Sequence, residues 1–212
     1  TYFMTSDADF DSWDDLKRKT VYVPLQSSPP DALTQYFLTE AGLEVGKDVE
    51  IIYATTPEVV TLLASGEAVY GTLIEPMVTK AMVGNENLRV AFSFEDEWQR
   101  VTETETNIPN AGFGTTQKCI DENPELVADF QKAYEESIVW ANEHPDEMGK
   151  LTEKYLGLKA PVITKSLPNM GLEFKSANDA KAELEMLYQL LHKFNPSMIG
   201  GKIADSGLYY AD

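Results

Sequence analysis

Three strand-then-helix units follow one another between Thr20 and Val83, and this repeat limits the fold more than any other feature of the chain. Val21-Tyr-Val23 is a short β-branched and aromatic run that suits a strand. Asp31–Ala41 then places Ala32, Leu33, Tyr36, Phe37 and Ala41 at the spacing of one helical face. A proline at the first helical position, a serine just before it and Gly42 just past the end are start and stop signals. The pattern recurs with Val49–Ala54 as a strand, Pro57–Ala64 as a helix, Val69–Ile74 as a strand and Pro76–Val83 as a helix. Consecutive units of this kind predict a parallel sheet with helices on its faces. Such sheets bind ligands beyond the carboxyl ends of their strands, where loops enter helix N-termini. Gln26–Ser28, Thr55-Thr56 and Ile74-Glu75-Pro76 are therefore the candidate loops, and they are expected at one edge.

Thr1–Thr5 reads as a strand that opens without a partner before it, and Asp11 or Ser12 can cap a short helix through Trp13 and Leu16. Leu88–Ser93 is a further strand, followed by a short helix around Glu95–Val101, a polar connector at Thr102–Asn107 and a flexible extended segment at Ala111–Gly114. From Cys119 onward the character changes. Pro124–His144 is amphipathic over several turns, Asp146–Leu156 and Ala160–Leu167 are further helices, and Ser176–Phe194 carries a long apolar stripe. The first half is thus α/β and the second almost wholly helical, with apolar helix faces but few strands for them to cover.

A formal net charge of -18 disfavours nucleic acid and anionic membranes as partners, although a small pocket can oppose the global field. One cysteine, Cys119, excludes an intrachain disulfide and a multi-cysteine zinc site, and it reads as a small buried residue. His144 and His192 lack spaced carboxylate or cysteine partners and read as surface residues, so no metal site and no catalytic constellation is expected. Phosphate-cradling glycine loops are absent, and no cofactor is implied. No apolar run approaches the length of about 20 residues that a membrane span needs.

Asp15-Leu-Lys-Arg-Lys-Thr20 before a strand, a Ser/Pro turn and a helix, then Gly46-Lys-Asp-Val49, resembles solute-binding proteins of ABC transporters, in the nitrate/sulfonate/taurine and thiamine-precursor group. Leu73-Ile-Glu-Pro76, Glu97-Trp98, Asn123-Pro-Glu-Leu126 and the ending Asn195-Pro-Ser-Met-Ile-Gly-Gly-Lys202 through Tyr209-Tyr210 follow in the same order. The group usually carries Leu-Lys-Gly-Lys, with a glycine serving a turn, where this chain has Arg18. The resemblance implies a periplasmic-binding-protein-like fold of type II, α/β, with residues 6–107 forming lobe 2. Residues 1–5 and 108–212 would be hinge segments and the helical remainder of lobe 1, whose N-terminal part would precede this sequence. It implies no catalysis: a small anionic or heteroaromatic solute is captured between lobes by hinge closure and delivered to a permease and ATPase complex. It also implies a periplasmic setting or an extracellular membrane-anchored lipoprotein. Uncovered helix faces would favour self-association of this chain.

Within that frame, Gln26, Ser27 and Ser28 precede a helix whose first N–H groups favour an accepting or anionic group, or Ser28 serves only as an N-cap. Thr56 repeats this arrangement, with capping by the Thr55-Thr56 pair as the alternative. Glu75 at a strand mouth would accept from an amine or amide of the solute, cap its helix or pair with a lysine. Trp98 would present an aromatic wall or pack in the core, and Asn110 at the second crossover would reach the cleft. Two rival functions remain: a thiamine-pyrimidine-synthase-like enzyme, which would need a cofactor lysine and a cysteine-rich motif, and a ligand-sensing domain of the same fold.

Overall fold

The computed structural model describes residues 1–210. Five strands form one sheet in the order β3-β2-β4-β1-β5: β1 (Tyr2–Thr5), β2 (Thr20–Pro24), β3 (Glu50–Ala54), β4 (Tyr70–Leu73) and β5 (Arg89–Ser93). β2 runs parallel to both β3 and β4, as the repeated units predict. β1 is inserted antiparallel between β4 and β5, with Tyr2 opposite both Leu73 and Ser93. The carboxyl ends of β2, β3, β4 and β5 therefore share one edge with the start of β1. The strand at Thr1–Thr5, which has no partner nearby in sequence, gains two by lying inside the sheet.

The helices between these strands form for local reasons. α1 (Pro29–Glu40) starts at Ser28, whose Oγ accepts from the Asp31 N–H. α2 (Thr56–Ser65) starts behind Thr55, and Glu58 folds back over that position. α3 (Met77–Gly84) and α4 (Phe94–Thr102) complete the α/β part. One core joins Met4 and Leu73 of the sheet to Val59, Val60 and Leu63 of α2 and Val78 and Ala81 of α3. Gly71 sits tightly there, since a Cβ would meet the Tyr22 carbonyl oxygen at 3.0 Å and Leu63 Cδ1 at 3.1 Å. A second, aromatic core stacks Phe3, Trp13, Phe92, Phe37 and Phe94, with ring centroids 4.9 Å apart for Trp13 and Phe92 and 5.0 Å for Phe37 and Phe94.

The chain divides into two compact units. Unit 1 holds Thr1–Ile108 and Leu187–Ile203; unit 2 holds Pro109–Met186 and the C-terminal tail from Ala204. The first segment of unit 1 ends at Ile108, and both β1 and Leu187–Ile203 lie in this α/β unit. The physical reason is partnering: β1 pairs with β4 and β5, and Leu187 and Leu191 bury against Ala32 of α1. These two leucines belong to α9 (Lys181–Phe194), which begins five residues later than the apolar stripe from Ser176 predicts. Unit 2 contains α5 (Gln117–Glu122), α6 (Pro124–Glu143), α7 (Pro145–Leu156) and α8 (Ala160–Ser166). Along α6 only Ala141 is buried, while Leu126, Phe130, Val139 and Trp140 remain exposed. Trp140 stacks on His144, with ring centroids 4.9 Å apart. Cys119 is half-buried and not fully buried, because the short α5 has no buried residue of its own.

Candidate functional site

Parallel pairing of β2 with β3 and β4 brings Gln26, Ser27, Ser28, Thr56 and Glu75 to the same edge of unit 1. The Leu25 N–H donates to the Ala54 carbonyl at 3.1 Å and ties the first loop to the end of β3. Leu25 and Ser27 both occupy the left-handed region, at φ 56° and 60°. For non-glycine residues this conformation costs about 1–2 kcal/mol each, so the tight turn is held by its contacts.

Those contacts centre on Asp31. Its side chain is only 1% exposed, an unusual place for a carboxylate. It accepts from the Ser27 N–H at 2.7 Å, from Gln35 Nε2 at 2.8 Å and from the Tyr53 hydroxyl at 3.0 Å. Burial, then the neighbouring Asp31 charge, push the Tyr53 phenol up to about 12. Asp31 thus links the β2 loop, the first turn of α1 and the end of β3 in one network.

The expectation that the α1 N-terminus offers open donors fails on local chemistry. Pro29 and Pro30 carry no N–H, the Asp31 N–H is taken by Ser28 Oγ at 3.3 Å, and the Ala32 N–H returns to the Ser28 carbonyl at 2.9 Å. Ser28 Oγ itself donates to the Pro24 carbonyl at 3.1 Å, so its hydroxyl serves the N-cap. Consecutive prolines were the signal in the sequence that could have shown this.

The other loops are closed in a similar way. Glu58 accepts from the Thr55 N–H at 2.8 Å and from its hydroxyl at 2.7 Å, which holds this exposed carboxyl below its ordinary range. Thr56 is the first residue of α2 and is half-buried. Glu75 accepts from the Thr79 N–H at 3.0 Å and the Thr79 hydroxyl at 2.9 Å, which realises the capping alternative while leaving the side chain half-exposed.

Trp98 does not line this edge. It is 2% exposed and packs on Tyr36 with centroids 6.0 Å apart, so the core alternative holds and no aromatic wall is presented. Asn110 is exposed in the extended segment of unit 2. Sequence reasoning missed Asp31 and Tyr53, and also Glu97. The last is a buried carboxylate that accepts from Trp13 Nε1 at 2.7 Å and from Arg100 through Nε at 3.1 Å and Nη2 at 2.7 Å. Among the described residues no group of three or more His, Cys, Asp or Glu side chains is placed to hold a metal ion. A groove of about 810 Å³ lies at the opposite edge of the sheet, lined by Ser6, Ser65, Gly66, Asn85, Asn87 and Arg89 among others. Its Arg89 guanidinium is engaged by the Asp7 and Phe10 carbonyls at 3.2 and 2.6 Å.

A sheet of this order, with one antiparallel strand inserted among parallel ones and the β2, β3 and β4 loops on a single edge, is that of a periplasmic-binding-protein-like fold. The family model described as NMT1/THI5 like matches residues 1–148, and the chain belongs to that family. Solved structures agree on the fold. An ABC transporter protein from Parabacteroides distasonis is 19% identical with a TM-score of 0.75, over 99% of this chain and 70% of its own. The periplasmic aliphatic sulphonate binding protein SsuA from Escherichia coli is 17% identical with a TM-score of 0.72, over 99% of this chain and 65% of its own. The desulfurization enzyme DSZB is 15% identical with a TM-score of 0.54, over 92% of this chain and 69% of its own. The chain thus spans roughly two thirds of the length of each. No match is found among curated protein sequences.

Proposed function

We propose that this chain is the solute-binding subunit of an ABC importer: it captures a small solute and hands it to a permease and ATPase complex, with no bond of the solute changed. The observation that carries this reading is the convergence of the β2, β3 and β4 loops at one edge of unit 1 in a member of the NMT1/THI5-like family. Gln26, Ser27, Thr56 and Glu75 would contribute contacts from that edge, and Asn110 from the segment that follows unit 1. Capture would proceed by hinge closure between two lobes, with unit 1 supplying one of them. The exposed apolar positions of α6 support assigning the helices of unit 2 to the other lobe. A periplasmic or membrane-anchored extracellular location accompanies this role; among the described residues no helix is long and apolar enough to cross a membrane.

Enzymes occur on this fold, as DSZB illustrates. The single cysteine here lies in a six-residue helix of unit 2, half-buried, away from the β2–β4 loops in the sequence, which favours binding over covalent chemistry. The test is a thermal-shift screen of the whole gene product with sulfonates, amines, carboxylates and heteroaromatic compounds. A true solute at 100 times its dissociation constant adds about 2.7 kcal/mol to stability. Stabilisation by one chemical class without turnover supports solute binding, and a screen in which no class stabilises the protein refutes it.

A further inference from the structure

β3, β2 and β4 lie side by side in the sheet, and the first residues beyond their carboxyl ends are Thr55, Leu25 and Ile74. The polar groups of these loops are already paired. Ser28 Oγ caps α1, Asp31 holds the Ser27 N–H, Glu58 takes both Thr55 donors and Glu75 takes both Thr79 donors. Two apolar side chains at the same strand ends stay in water instead: Leu25 is 57% exposed and Ile74 36%. The register of β2 on β4, with Val21 opposite Tyr70 and Tyr22 opposite Gly71, carries forward to put Leu25 level with Ile74.

Single exposed apolar side chains are ordinary on a protein surface, and what distinguishes Leu25 is its backbone. Among the described residues Arg18, Leu25, Ser27 and Glu103 are the non-glycine residues with a left-handed φ, and Leu25 alone of them is apolar. Glycine or asparagine would adopt that conformation with less strain and would suit water better. The turn is held by the Leu25 N–H, which donates to the Ala54 carbonyl at 3.1 Å, and by Asp31 through Ser27. Folding alone gives little reason to keep a leucine there, since most of its side chain stays in water. A ligand that covers it does.

Resting on the solute-capture reading above, we infer that unit 1 meets an uncharged hydrocarbon part of the solute, with Leu25 and Ile74 as its contacts and Asp31 as the residue that positions Leu25. A charged group of the solute is then recognised outside this pair. Preference at the pair is graded by hydrocarbon length and not by charge.

The experiment is methyl nuclear magnetic resonance of the whole gene product, isotope-labelled at leucine, isoleucine and valine, during titration with propanol, butanol, pentanol and hexanol. The Leu25 and Ile74 methyl signals are expected to shift together to saturation, with affinity rising about two- to fourfold per methylene; fourfold corresponds to the about 0.8 kcal/mol of a fully buried CH₂. Val83 on α3, 65% exposed, is expected to stay still and controls for diffuse apolar contact. Leu25→Asn suits the left-handed backbone, so it should keep or raise the melting temperature while weakening hexanol binding by about tenfold or more. A Leu25 that served the fold alone would lose stability in the same variant. The wild-type comparison of Leu25 with Val83 stands even where the variant folds poorly. Signals that move alike at Leu25 and Val83, affinities that do not rise with chain length, or hexanol affinity unmoved by Leu25→Asn in a folded variant refutes the hydrocarbon contact while leaving solute capture intact. A thermal-shift screen in which no chemical class stabilises the protein refutes solute capture, and this contact with it.

Discussion

Replacing Asp31 by alanine tests whether the β2 loop is held by this one carboxylate. The side chain is 1% exposed and accepts three hydrogen bonds, from Ser27, Gln35 and Tyr53, at 2.7, 2.8 and 3.0 Å. A hydrogen bond to a charged acceptor contributes about 1.5–3 kcal/mol, and a buried donor left unpaired costs about 1–3 kcal/mol. Gln35 and Tyr53 also bond each other at 3.0 Å, so those two donors keep part of their pairing, whereas Ser27 at the exposed turn regains water. The net expectation is therefore about 3 kcal/mol, below the sum of three independent bonds, out of a stability of about 5–15 kcal/mol for a folded domain. Urea unfolding of Asp31→Ala followed by tryptophan fluorescence should show this as a lowered midpoint with an unchanged slope. Asp31→Asn keeps the volume and one acceptor oxygen and should lose about half as much. A loss below about 1 kcal/mol in Asp31→Ala would refute the claim, since surface substitutions lie within about 0.5 kcal/mol.

Further outcomes follow from other parts of unit 1. Tyr53 has its folded value raised to about 12 from an ordinary value near 10, so its contribution is complete below pH 10 and is lost as pH rises from there towards 12; Asp31→Asn should move its ultraviolet-detected ionisation downwards. Leu63→Ala empties a fully buried position between α2 and the sheet and should cost about 2–5 kcal/mol in the same urea assay. Arg18, at φ 64° with its N–H donating to the Asp48 carbonyl at 2.6 Å, occupies a conformation that favours glycine; Arg18→Gly should raise the melting temperature, by about 0.5–1 kcal/mol of stability.

Much of the α/β part was legible because its signals are local. Strand runs and helix caps between Thr20 and Val83 fixed the units, and parallel pairing of β2 with its neighbours followed from their connections. The antiparallel place of β1 was not legible, since it depends on pairing with strands more than sixty residues away. The same holds for Leu187 and Leu191, whose apolar stripe announces a buried face without naming Ala32 as its partner. At the candidate loops, the local chemistry was half read. Ser28 and Glu75 were each given a binding role and a capping role, and only coordinates show the capping bonds to be made. Asp31 looked like one acid among many, because burial of a carboxylate leaves no mark in a sequence this acidic. Trp98 was equally suited to a wall or a core, and its packing against Tyr36 is a tertiary fact.

The central claim, that solute is gripped at the carboxyl ends of the β2, β3 and β4 strands, is tested most directly by amide chemical-shift mapping during titration with the compound that stabilises the protein most in the thermal-shift screen. The account predicts that the shifted amides cluster at Ser27, Thr56, Thr79 and Glu95, on the edge where these loops meet. Shifts confined to Ser65, Gly66, Asn85 and Asn87, around the groove at the other end of the sheet, would contradict it.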